Sequence, residues 1–157
     1  GDIFKMHKNG YVSFSERIDD IFRWRGEEII PGELSVAIER YGIFGEVFIY
    51  GVNVKNIQGF VPMAALFQFQ GKKPDMNDFA SYIKDNLTEN QRPHFIRIGK
   101  DKNALQFSSK QKSRMQKEGF NPDLTKDQLY FLDPESQKYI RITKKVYDDI
   151  RKGMYRF

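Results

Sequence analysis

The hydrophobic rhythm of the chain switches several times between a period of two and a period of about 3.6, which predicts a mixed fold. Ile3–Met6 and Tyr11–Phe14 flank Asn9-Gly10, a dipeptide that accepts the positive φ angles of a two-residue hairpin turn. Strand, turn, strand is the expected opening. Behind Pro31-Gly32, the residues Leu34, Ala37, Ile38 and Tyr41 share one helical face, with Glu33, Glu39 and Arg40 outside it and Gly42 as the stop. The dense runs Val47–Val52 and Met63–Phe69 predict central strands, with Gly51 and Gly59 punctuating the loop between them. Asp75 predicts the cap of a helix whose buried stripe is Met76, Phe79, Ala80, Ile83 and Leu87. Arg92-Pro93 ends the next loop, and His94–Ile98 reads as a further strand. Lys110–Glu118 predicts a short basic helix closed by Gly119. Gln128–Leu132 and Tyr139–Ile142 predict a late pair of strands, and Lys144–Lys152 a last helix. The order implies an α+β class: an N-terminal β-hairpin, then a small central sheet packed with helices, with an appendix at the end.

Composition narrows this picture. A length of 157 residues fits one domain with a real core. The formal charge of +5 favours anionic partners such as nucleotides, coenzyme A, nucleic acid or lipid headgroups. The absence of cysteine excludes disulfides, zinc thiolates and thiol nucleophiles. No run approaches the ~20 apolar residues of a membrane span, so this stretch is expected to be soluble. Fourteen Phe and eight Tyr are more than a disordered tail carries. His7 and His94 stand in no ligand spacing, so no metal site is expected within the chain.

Two local patterns carry candidate chemistry. Arg23 and Arg25 alternate with Phe22 and Trp24, placing two cations on one face of an extended segment and two aromatics on the other. Such arginines bind phosphates or form a solvated edge, while Trp24, the only tryptophan, reads as core. The second pattern is basic: Lys100, Lys102, Lys110, Lys112, Arg114 and Lys117 lie near Phe95 and Phe107. Cations with stacking aromatics define the alternative of a nucleic-acid-binding module. Paired recognition motifs are missing, so a nucleic acid partner is not expected. A basic face also suits a membrane surface, although the last helix has few large apolar residues to insert.

The stretch from Glu16 through Arg17, Asp19, Asp20, Phe22-Arg23-Trp24-Arg25 to Gly26-Glu27 resembles the junction between the large and small domains of acyl-activating, AMP-forming enzymes. Its Phe-Arg-Trp-basic-Gly-Glu signature is similar to that of the fatty acid transport protein, or very-long-chain acyl-CoA synthetase, family. Tyr50-Gly51-Val52, Met63-Ala64-Ala65, Arg92-Pro93, Lys117-Glu118-Gly119-Phe120 and Tyr130-Phe131-Leu132-Asp133 extend the resemblance in order. The loop at Gly59-Phe60-Val61-Pro62 departs from the family's Gly-Arg-Ala-Gly.

The resemblance implies the mobile C-terminal domain of a fatty acyl-CoA synthetase: residues 1–18 as hairpin and end of the linker, 19–157 as the mobile domain, with a family-specific extension from about 120. It implies ATP, coenzyme A and Mg2+ as cofactors, the metal entering through the absent domain. The implied partners are the protein's own N-terminal adenylation domain, a fatty acid substrate and possible contact with a membrane surface. The full-length protein is expected to be intracellular and membrane-associated, and this fragment alone inactive.

By the same resemblance, Asp2 receives the ribose hydroxyls of ATP, a task for a carboxylate that accepts two hydrogen bonds. Arg17 lies near the nucleotide, and Asp19 or Asp20 is the hinge. Trp24, Arg25, Gly26 and Glu27 line the tunnel for the pantetheine arm. The catalytic lysine, which stabilises charge as the adenylate forms, falls on Ser109 without gaps and on Lys110 with a one-residue insertion; Gln106 replaces the family's glycine. Lys110 is the candidate, and a catalytically degenerate homologue is the alternative.

Overall fold

The computed structural model describes residues 2–6, 12–17, 20–68, 72–99 and 109–157. Strands β1 (Asp2–Met6) and β2 (Val12–Arg17) pair antiparallel as the expected hairpin, with a register shift between Ile3 and Phe4. The turn at Asn9-Gly10 lies outside the described residues. A second hairpin, β3 (Phe22–Trp24) with β4 (Glu27–Ile29), follows where only an extended segment was expected. Strands of three residues are too short to show a period, which hides them from a pattern reading.

Helix α1 (Pro31–Glu39) starts on proline, whose missing N–H is no loss in a first turn, and buries Leu34 and Ile38 as the stripe predicts. It leads into the main sheet of β5 (Phe44–Val52), β6 (Val61–Gln68), β7 (Phe95–Gly99), β8 (Gln128–Leu132) and β9 (Tyr139–Arg141), in that spatial order. Only the β6–β7 pair is parallel, because helix α2 (Met76–Asn86) makes the crossover between them; the other pairs are antiparallel. Asp75 caps α2 by accepting from the backbone N–H groups of Asn77 and Asp78. A single 3-10 turn (Glu89–Gln91) then carries a capping box between Thr88 and Gln91.

Val61 to Leu66 are buried without interruption, as a central strand covered on both faces requires. Strands β8 and β9 continue the same sheet, so the appendix is built into the core through Phe131, Leu132 and Tyr139. Helix α3 (Ser109–Glu118) and helix α4 (Lys144–Arg151) complete the layer architecture. The sequence reading started β5 at Val47; Gly45 and Glu46 break the apolar run there, and the ladder accommodates them with an irregularity between Phe44 and Glu46. Gly51 belongs to β5 and not to a loop. A Cβ there would stand 3.1 Å from the Phe22 ring and 2.5 Å from Phe60 Cβ, so glycine makes room for β3 to lie against the sheet.

Candidate functional site

On β3, Phe22 and Trp24 point inward and Arg23 outward, which seats the second hairpin and leaves its tip in solvent. The tip is Arg25-Gly26, with φ of 52° and 79°. Two consecutive positive φ angles define the primed turn whose twist suits a two-residue hairpin. Arg25 therefore sits in the turn and does not share a strand face with Arg23. Apart from its own chain neighbours, nothing lies within 4 Å of the point where a Gly26 Cβ would stand. The exposed backbone there is open to close approach.

The turn is held from the side. Arg25 donates to Asn90 Oδ1 at 3.3 Å, and Asn90 Nδ2 donates to Glu27 Oε1 at 2.9 Å. One amide of the 3-10 turn thus grips both flanks of Gly26. The Arg25 guanidinium also lies 5.0 Å from the centre of the Trp24 ring and 3.8 Å from Glu89. Beneath, Trp24 meets His94 edge to face at 5.4 Å, and His94 stacks on Phe157 at 5.5 Å. Burial first, and the Arg25 charge second, lower the His94 pKa to about 4 against an opposing contribution from the Arg92 backbone. The imidazole is neutral at physiological pH. Trp24 Nε1 and His94 Nδ1 are buried without a hydrogen-bond partner among the described residues.

A second group surrounds α3. Lys110 is exposed at the start of the helix and lines a cleft of about 580 Å³ with Arg114, Lys117 and Leu124. Lys112 forms an ion pair with Asp20. At the other end, Glu118 accepts from Arg97 Nη1 at 3.1 Å. Arg97 is buried in the middle of β7, and its Nε and Nη2 donate to Asp127 at 2.7 Å and to Thr125 at 3.0 Å. All three nitrogens of its fork are used, as a buried guanidinium requires. Tyr50 is close enough to feel the Arg97 charge, yet burial outweighs that charge and pushes its hydroxyl pKa up.

Among the expected site residues, Trp24, Arg25, Gly26 and Glu27 come together on one hairpin. Asp2 and Arg17 are backbone register partners in the β1–β2 ladder. Asp20 and Lys110 are linked only indirectly, through Lys112 on the helix that both Lys110 and Lys112 belong to. Asp19 lies outside the described residues, as do Lys100, Lys102, Gln106 and Phe107. Phe95 is fully buried and stacks on Phe120 at 4.3 Å, so it offers no face to a base, which removes that aromatic from the nucleic-acid reading. Asn90, His94 and Arg97 escaped the sequence reading as participants, and Lys112 entered it only as one cation of the basic stretch. Arg97 alone left a signal, a charge inside an apolar strand. Among the described residues no group of three or more acidic, His or Cys side chains is placed to hold a metal ion.

No protein-family profile matches the chain. Its fold is similar to that of coronafacic acid ligase from Pectobacterium brasiliense, with a TM-score of 0.63 and 19% identity over 84% of this chain and 25% of that one. The anthranilate CoA ligase AuaEII, solved with anthranoyl-AMP, superposes with a TM-score of 0.55 and 18% identity over 73% of this chain and 23% of that one. The fold class is therefore that of the C-terminal domain of AMP-forming acid–CoA ligases.

Within that class the sequence narrows the likeness. Long-chain fatty acid transport protein 5 of Mus musculus is 32% identical over 99% of this chain and 22% of its own length. Long-chain fatty acid transport protein 1 of Homo sapiens is 33% identical over 99% of this chain and 24% of its own length. Over nearly its whole length the chain is similar to one segment of the fatty acid transport proteins. It spans less than a quarter of the length of these relatives, 22% and 24%.

Proposed function

We propose that this chain is the mobile C-terminal domain of a longer long- or very-long-chain fatty acid–CoA ligase. It serves two half-reactions, acyl-adenylate formation from ATP and transfer of the acyl group to coenzyme A, and is inactive apart from its N-terminal domain. The observation that carries this reading is the exposed Arg25-Gly26 turn, gripped on both flanks and empty above the glycine. A slim thiol-bearing arm can cross a glycine there where any side chain would stand in its way. Membrane association is assigned to the whole protein and not to this domain; among the described residues no helix is long and apolar enough to cross a bilayer.

The remaining roles are those the resemblance implies, and the chemistry of the side chains suits them. Asp2, with Arg17 opposite, offers a carboxylate that accepts from ribose hydroxyls. Asp19 and Asp20 provide the hinge. Lys110, exposed beside its cleft, offers an ammonium to the charge that develops between carboxylate and α-phosphate. Coenzyme A, when bound, supplies the thiol that receives the acyl group. Among the described residues no three His, Cys, Asp or Glu side chains cluster to hold a metal ion, and Mg2+ is assigned together with ATP to the N-terminal domain.

The test uses Gly26→Asn in the full-length protein. Asparagine tolerates positive φ, so the turn keeps its shape while the side chain fills the open space. Pyrophosphate release should stay within twofold of wild type while acyl-CoA formation from preformed adenylate falls at least tenfold. Equal loss of both, or of neither, refutes the assignment of the turn.

A further inference from the structure

Helix α3 is fastened by charge more than by apolar burial: among its described side chains only Met115 is buried. Its C-terminal end is tied to β7 through Glu118 and Arg97 at 3.1 Å. Gln116 donates to the Gly51 carbonyl at 3.4 Å in between. The N-terminal part is tied by Lys112 to Asp20, the first described residue after the β1–β2 hairpin. The side chains of this pair keep only 19% and 23% of their exposure, so the attraction is screened less than on open surface. Lys110 and Lys112 are two residues apart and therefore leave the helix on different sides. One can hold the segment that enters the domain while the other faces the cleft.

We infer that Lys112 is a positioning residue whose ion pair with Asp20 clamps the incoming linker onto α3 in one of the two orientations of the domain. The inference rests on the two-orientation reading above. Domain rotation changes the backbone at the hinge, and a pair held by the hinge residue Asp20 favours whichever orientation keeps it intact. Loss of the pair therefore changes the balance between the half-reactions without removing a group that touches substrate. A residue that merely supported the fold would lower both.

The experiment measures, in the full-length protein, single-turnover pyrophosphate release and acyl-CoA formation from preformed acyl-adenylate. If the wild type performs neither, the functional reading falls; if it performs both, the clamp alone is on trial. Lys112→Met and Asp20→Asn are each expected to change the ratio of the two rates at least threefold, and the double variant no further than either single one. The exchanged pair, Asp20→Lys with Lys112→Asp, is expected to bring the ratio back to within threefold of wild type. Asp20→Asn is nearly isosteric and decides the matter if Lys112→Met does not fold. A ratio changed less than threefold in the single variants, equal loss of both rates, or failure of the exchanged pair to restore the ratio overturns the clamp.

Discussion

Packed between Trp24 and Phe157, and close to the Arg25 charge, the His94 imidazole resists protonation down to about pH 4, against an ordinary value of 6.5. The unfolded chain has no such shelter and takes up the proton near 6.5. Between these values the unfolded state binds more protons, so stability falls as pH drops through the window and is fully present above it. The difference corresponds to about 3 kcal/mol at full extent. Urea denaturation of this domain at pH 7 and pH 4 should therefore show a smaller loss in His94→Phe than in wild type, by about that amount. An unchanged loss would mean that the acid sensitivity lies elsewhere.

At the level of elements, Arg97 shows what a buried fork does for a helix, α3, that is held largely by polar ties. Its three bonds join β7, the end of α3 and the loop at Thr125 and Asp127. Arg97→Met removes the cation and leaves two partly shielded carboxylates facing each other's field, so the expected loss is about 3 kcal/mol. Chemical denaturation of the isolated domain measures it; a loss below about 1 kcal/mol would show that water replaces the arginine without penalty. Elements of this kind also explain how far the sequence could be read. The Asp75 cap and the Phe79, Ala80 and Ile83 stripe fixed α2 because cap and period are local properties. The β3–β4 hairpin was illegible because its strands hold three residues and its turn begins with Arg25, an unusual occupant of positive φ. Arg97 was visible as an anomaly, but its partners stand 21 to 30 residues further on and are chosen by packing alone. Asn90 left no trace, since a polar residue just after a helix reads as an ordinary corner.

For the molecule as a whole, the residues that the family resemblance singles out, Trp24 to Glu27, lie together on one hairpin, while the residues that brace it came only from the fold. The lysine assignment belongs to this scale because the proposed reaction is shared with another domain. Lys110→Ala in the full-length protein should slow pyrophosphate release by about a hundredfold, the scale for losing one preorganised electrostatic partner of a transition state. Acyl transfer from preformed adenylate should be unaffected. Release at the wild-type rate would favour the degenerate homologue, consistent with Ser109 at the ungapped position.

Asn90 has a mechanical meaning beyond its two hydrogen bonds. Gripping the arm on either side of its tip, with the Phe22 ring filling the hollow above Gly51, it denies the glycine any wobble of its own. On the two-orientation reading proposed above, a swing of the body is handed on to Gly26 undiminished. Where that glycine arrives is then decided by the pivot axis and not by the relaxation of a loop.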